Sequence, residues 1–519
     1  MKKTIQWIIY VFFSLGIVVF ISVVVANSVL KNKLEKFIEL ELPENMEGSY
    51  NDLSARILSG TISLSNPSFI IQNKEDRIKH TFITAKQLEI SGISFWKFLM
   101  GNELYIENIL LERPEIAYYQ DRKSPIKDSI QQKELKLDRP IYVELFQIKN
   151  STLSIYENGE DSTKFFTKDF SIEIGNIQLD NKILSNRIPI KYQTIEAKGD
   201  SIFFKANAYE NLTVGNFSLE NHNAIFNDLL FKTKYPKNEF SQKLDVERDH
   251  YDLILKTLSI DKLDFGFLDD ELYVKSNKIN LDTPSLFIFR DKLVADDLSI
   301  KPLYSKSLRE LPFQLTVDSI NINNGYLQYD EKVNENNLVG SINFKNLNAK
   351  ILNASNTYKD STKTDLNIQA LFMEKTPISV VWSFDVQNTN DDFIFKADVG
   401  ALKAEKLNSF TQPNLKVRLE GHVDRTYFTI DGNNTTSKTD MKINYNDFQI
   451  NVLRKDGENK NKLISAVVNI FVSKDSERED SVYKEASVDA TRDKTKSVFN
   501  FLWISVKNAL EKCVTGSSG

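Results

Sequence analysis

At 519 residues the chain exceeds one ordinary hydrophobic core, so it holds either several domains or one long repetitive architecture. Its 66 Lys and Arg face 71 Asp and Glu with both signs interspersed, which excludes the basic footprint of a nucleic-acid binder. With 41% hydrophobic residues it is not a disordered chain, and 18 Gly and 12 Pro are too few for a collagen-like or linker-dominated one. The single Cys513 excludes an intramolecular disulfide, so stability must come from burial and strand pairing.

The first predicted element is a membrane anchor. No charge occurs between Thr4 and Leu30, and residues 5–29 are dominated by Ile, Val, Phe and Leu. About 20 apolar residues span a bilayer, whereas a signal-peptide core runs to only about 15. Charge does not set the orientation, because Lys2 and Lys3 precede the segment while Lys31, Lys33 and Lys36 follow it. A three-residue tail leaves little to translocate, so the expectation is export of the bulk of the chain. The predicted divisions are an anchor over 1–30, a juxtamembrane helix over 31–44, a β domain over 45–475, a polar linker over 476–490 and an amphipathic helix over 491–515.

Beyond Pro43, segment after segment shows the two-residue period of half-buried strands, bounded by Asn, Asp, Gly or Ser. Ile62 and Leu64 alternate with polar neighbours, as do Val417 and Leu419, and Met441, Ile443 and Tyr445. The chain is expected to turn back at Asp424-Arg425 and at Asn446-Asp447, giving a meander of antiparallel hairpins. A degenerate unit recurs without a fixed period: an Ile-rich strand, a polar turn, then a strand ending in an aromatic. It appears at Ile148–Tyr156, containing Leu153 and Ile155, and at Ile320–Tyr329, containing Ile322, with looser copies at Ile109–Tyr119 and Leu258–Phe267. Phe95–Met100 before Gly101 predicts a short helix. One-sided alternation over so long a stretch places an apolar face either against a second sheet or along a lined channel, and the pattern leaves both open.

At the C-terminal end Phe499, Leu502, Trp503, Val506, Leu510 and Cys513 fall on one helical stripe. It is suited either to a membrane surface or partner, or to capping the open end of the sheet. Chemistry is harder to find. His80, His222, His250 and His422 show no metal-ligand spacing, and no nucleophile elbow, phosphate loop or dinucleotide fingerprint occurs. Glu247-Arg-Asp249-His250-Tyr-Asp252 reads as a solvated turn in which Glu247 and Asp249 face opposite to His250 and Asp252, splitting any triad, and Asp269, Asp270 and Glu271 are merely consecutive. No catalytic, metal or cofactor site is assigned, and the chain reads as a non-enzyme.

Three stretches carry a resemblance: Gly60-Thr-Ile62-Ser-Leu64-Ser-Asn66-Pro67, then Ile83-Thr-Ala85-Lys-Gln-Leu88-Glu-Ile90, then Leu104 through Arg113-Pro114-Glu-Ile116. In this order after an uncleaved span, they resemble the N-terminal region of the AsmA family of bacterial envelope proteins, and the Asn-, Lys- and Ile-rich wording looks like a Bacteroidetes member. The family is similar to TamB and to bridge-like lipid transfer proteins. The resemblance implies an elongated, curved antiparallel β-sheet groove, anchored in the inner membrane and lying in the periplasm. It also implies lipids as partners, through phospholipid acyl chains on the apolar face, with transport between envelope membranes as the function. Groove candidates are then Ile62, Leu64, Leu153, Ile155, Ile320, Ile322, Val417, Leu419, Met441, Ile443 and Tyr445. The alternative is a scaffold for outer-membrane biogenesis that captures envelope protein partners at a sheet edge.

Overall fold

The computed structural model describes residues 31–515 except 32–33, 37, 39–41, 57–58, 95–102, 125–136, 160–161, 336–337, 455–473 and 478–480. The expected anchor over 1–30, the Phe95–Met100 helix and the tail from Gly516 lie outside the described residues. Among the described residues no helix is long and apolar enough to cross a membrane. The protein is mainly β, and the described residues form 26 strands in one large mixed sheet. It divides into two compact units: Met1–Asn227 with Gly266–Glu271, and Asp228–Phe265 with Leu272–Gly519. Three strands, β13 (Asn223–Thr233), β15 (Asp264–Leu268) and, by its first residue alone, β16 (Glu271–Asp282), carry residues of both.

Unit 1 begins with β1 (Met46–Ser49), β2 (Asp52–Arg56), β3 (Thr61–Ser65), β4 (Ser68–Gln72), β5 (Lys79–Thr84), β6 (Gln87–Ser91), β7 (Leu104–Glu112) and β8 (Glu115–Tyr119). These behave as long strands each interrupted once, because β1–β4–β5–β8 pair on one side of the break and β2–β3–β6–β7 on the other. Proline causes two of the interruptions, since it has no N–H to give to a ladder. Asn66 and Arg113, each preceding a proline, adopt left-handed φ of 46° and 47°. The backbone then re-pairs across the break: Ala85 N–H donates to Pro67 O at 3.0 Å, and Thr152 N–H to Pro114 O at 2.9 Å. The long strand β9 (Ile141–Tyr156) lies parallel to both β7 and β8, and β10 (Thr163–Leu179), β11 (Thr194–Lys205) and β12 (Glu210–Glu220) follow antiparallel.

Unit 2 repeats the device. It holds β14 (His250–Asp261), β16 (Glu271–Asp282) and β17 (Ser285–Asp291), the last two separated by Thr283-Pro284 and both paired with β14. Then β18 (Gln314–Lys332) runs parallel to both. In unit 1 Arg113 N–H donates to Lys149 O at 2.8 Å beside Asn150, whose φ is 55°; here Thr283 N–H donates to Asn323 O at 2.9 Å beside Asn324, whose φ is 51°. Tyr326 N–H to Pro284 O, at 2.7 Å, matches the Thr152–Pro114 bond. The chain continues antiparallel through β19 (Gly340–Ser355), β20 (Lys363–Phe372), β21 (Thr376–Asp385), β22 (Phe393–Val399), β24 (Val417–Gly432), β25 (Thr436–Val452) and β26 (Lys484–Thr491), with β23 (Leu402–Lys403) short and beside β24.

Several expectations are corrected. The sheet is mixed, not wholly antiparallel, because the connections over 120–140 and 292–313 are long enough to bring the chain back in its original direction. The polar points read as hairpin turns at Asp424-Arg425, Asn446-Asp447, Asn150 and Asn324 fall within single long strands, and register shifts mark bulges beside them. A bulge inserts an unpaired residue and bends the strand without reversing it. At one of them Gly421 has φ 105°, and a Cβ there would meet Asp447 O at 2.4 Å. The linker expected over 476–490 contains β26, whose buried apolar residues are only Ala486 and Ala490, with Val488 half-buried between them, too little to give a strong hydrophobic signal.

Candidate functional site

Cross-strand register turns the alternation into continuous apolar rows. In unit 2 one row runs Leu258, Leu281, Ile322, Ala349, Ile368, Val380, Ala397, Phe428, Met441 and Ala486, each paired with the next. A neighbouring row runs Ile260, Ile279, Ile320, Ile351, Leu366, Trp382, Phe395 and Ile430. Period-two geometry puts both rows on one face, while Asn280 and Asn321 bond side chain to side chain on the other at 3.0 Å.

Cover over this face is uneven. The C-terminal helix, Val498–Thr515, closes the end at β24–β26, where Met441, Ile443 and Tyr445 are only 2%, 3% and 1% exposed in a cluster with Ala509, Cys513 and Val514. A second cluster packs Leu303 and the helix residues Val498, Phe501 and Leu502 onto Trp382, Phe384, Phe393 and Ile430. Toward β14, β16 and β18 the same rows are only half-buried at Leu258, Leu281, Ile320 and Ile322. Large aliphatic side chains there have lateral neighbours on the sheet yet keep part of their surface exposed, a surface a monomer normally hides.

Unit 1 has the same gradient. Its row runs Leu53, Leu64, Leu88, Leu111, Ile148, Ile172, Ala197 and Leu219. Leu34 and Ile38, one helical turn apart, are buried in the cluster that includes Leu53, Ile62 and Leu64. From Ile172 to Leu219 the row is half-buried, as are Leu153 and Ile155.

The predicted groove residues therefore separate. Ile62, Leu64, Met441, Ile443 and Tyr445 lie in closed cores, because helical residues that sequence alternation does not register pack over them. Leu153, Ile155, Ile320, Ile322, Val417 and Leu419 are half-buried. Period reasoning missed Leu258, Leu281, Ile279 and Leu219 as members of the open rows, since only register joins them.

The C-terminal helix also turns a different side inward. Val498, Phe501, Leu502, Ser505, Ala509, Cys513 and Val514 are buried, while Phe499 and Trp503 are 61% and 42% exposed, and Val506 and Leu510 are half-buried. Small residues permit the close approach: Ser505 and Ser437 hydroxyls meet at 2.8 Å. Burial pushes the Cys513 thiol up to about 11, so it stays protonated and inert.

The stretch expected to be a solvated turn is instead an ion hub. Buried Glu247 accepts from Lys292 at 2.7 Å and lies 3.6 Å from Lys496, while Asp249 accepts from Arg290 Nε at 2.7 Å. Burial works against the Arg290 charge, but the Asp249 carboxylate more than offsets it and raises its pKa. Burial, with Asp249 beside it, pushes Tyr251 up to about 12. His250 Nε2 sits 2.9 Å from Tyr235 O and Asp252 pairs with Lys232 at 3.1 Å, so acid and histidine engage separate partners. In unit 1, Asp269 and Asp270 occupy left-handed turn positions, and Asp270 O accepts from Arg187 at 2.6 Å. Among the described residues no group of His, Cys, Asp or Glu is arranged to hold a metal ion. No protein-family model matches this chain, and no curated protein does either.

Proposed function

We propose that this protein is a non-enzymatic, membrane-anchored component of a bacterial cell envelope, which holds phospholipid acyl chains on the open part of its apolar sheet face and serves lipid transport between envelope membranes. The reading places the anchor in residues 5–29 of the inner membrane, with the β-sheet as an elongated groove in the periplasm. It rests on one observation above all: apolar rows closed at one end by helical residues and only half-buried over β14, β16 and β18. A sealed sandwich core would bury those positions uniformly. An acyl chain is the ligand such a surface suits, because it needs no hydrogen bond and gains about 0.8 kcal/mol per buried CH₂. The AsmA-like order of the N-terminal strands supports the same reading.

The test is a photo-crosslinker placed in cells at Ile322, on the open row, or at Asn321, on the polar face. Phospholipid adducts at 322 and none at 321 are expected. Adducts at 322 that are exclusively protein would refute lipid carriage and favour a scaffold.

A further inference from the structure

In unit 2 the chain between β17 and β18 forms a strap that turns several apolar side chains outward among charged ones. Leu298 and Ile300 are each 73% exposed, and Tyr304, Phe499 and Trp503 are 41%, 61% and 42% exposed. Contacts gather these into one region: Lys301 N–H donates to Lys494 O at 2.8 Å, and the Tyr304 ring meets Phe499 edge-on at 6.3 Å. The strap is firmly held. Leu303 is buried, Ser305 donates to Asp391 at 2.9 Å, Arg309 pairs with Asp391 at 2.8 Å, and Arg492 reaches Lys301 O. An element tied down by these polar contacts that also turns Leu293, Leu298 and Ile300 outward is more than a stray exposed leucine.

We infer that this corner of unit 2 docks on a bilayer surface, inserting Leu298 and Ile300 below the headgroups with Tyr304, Phe499 and Trp503 at the interface. Three features select a bilayer as occupant. Exposure of 73% on both Leu298 and Ile300 leaves two projecting aliphatics, whereas protein partners need a broad complementary patch. Trp, Tyr and Phe beside aliphatics are the residues that settle at a membrane–water boundary. Four of the nearby cations are already paired, Lys496 with Asp296 at 2.9 Å, Lys306 with Glu310 at 3.6 Å, Lys507 with Glu511 at 3.5 Å and Lys301 with Asp297, so the attraction is chiefly apolar. The inference goes beyond acyl-chain carriage and does not require it.

The full chain is reconstituted in phospholipid nanodiscs on a Cys513→Ser background, with an environment-sensitive fluorophore on Ile300→Cys or, as reference, on exposed His222→Cys. Acceptor vesicles of phosphatidylethanolamine and phosphatidylglycerol, carrying a doxyl-labelled phospholipid, are then added. The expected result is several-fold stronger quenching at 300 than at 222, undiminished by high salt, and reduced by Leu298→Asp with Phe499→Asp while the thermal transition is unchanged. Quenching that is equal at both positions, vanishes in high salt, or is replaced by a label shift that tracks protein concentration without vesicles overturns the inference, the last pointing to a second copy. Crosslinking at 322 reports separately on lipid carriage, so the two readings fail independently.

Discussion

Ile322 and Ile443 carry the same side chain on the same face of unit 2, yet one is half-buried and the other almost wholly enclosed under the C-terminal helix. Ile443→Asp should cost about 3 kcal/mol or more in urea unfolding, because a carboxylate without a partner is forced into a dry core. Ile322→Asp should cost no more than about 1–2 kcal/mol while abolishing lipid adducts at neighbouring positions, since water reaches it. His80 supplies a pH-dependent counterpart. Burial, helped by Lys123, lowers its pKa to about 4. As pH falls the unfolded chain takes up the proton first, near 6.5, so His80 leaves stability intact above that value and erodes it down to about 4, by at most roughly 3 kcal/mol. Denaturant midpoints measured across that window should fall, and His80→Phe should flatten the slope. At this scale the sequence shows which residues are apolar and not which are covered. Glu247 illustrates the limit: its acidic neighbours are adjacent in sequence, but Arg290, Lys292 and Lys496 arrive from distant segments that no local pattern links to it.

The C-terminal helix is legible in its period and not in its phase. Of the predicted stripe Phe499, Leu502, Trp503, Val506, Leu510 and Cys513, Leu502 and Cys513 do face the sheet while Phe499 and Trp503 face out, because the seated side runs through Ser505 and Ala509, which allow close contact. Leu502→Ala should therefore destabilise by about 2–4 kcal/mol, while Trp503→Glu should shift the thermal transition by less than the equivalent of about 0.5 kcal/mol. A larger effect at 503 than at 502 would mean the helix is turned the other way. Strand β26 was hidden for the same reason, as alanine under a helix looks like a linker. The long strands are legible as alternating apolar residues, whereas their bulges look like turns in sequence because Asn, Asp and Gly serve both. Gly421→Ala separates the two uses: inside a strand, facing Asp447 O at 2.4 Å, it should cost on the order of 1–3 kcal/mol, whereas an open turn would absorb it.

For the molecule as a whole, an apolar face left open implies that stability depends on what occupies it. Purified protein stripped of lipid should melt earlier than protein incubated with phospholipid, by the equivalent of about 2–3 kcal/mol when lipid is present at a hundredfold its dissociation constant. Equal melting temperatures would mean that the open rows bind nothing. The recurring unit that had no fixed period in the sequence finds its explanation at this scale too. What repeats is a junction, an X-Pro break set against an asparagine in the next parallel strand, at Arg113-Pro114 with Asn150 and at Thr283-Pro284 with Asn324. Strand length on either side is free, and side-chain parity counted from the junction is not. One residue inserted after Gly325 should turn Leu327 and Tyr329 to the other face and abolish folding, while two inserted after Lys359, in the exposed connection between β19 and β20, should be accepted. Such a chain can lengthen by whole strand pairs without losing count, like a tape whose zero mark is printed again at each joint.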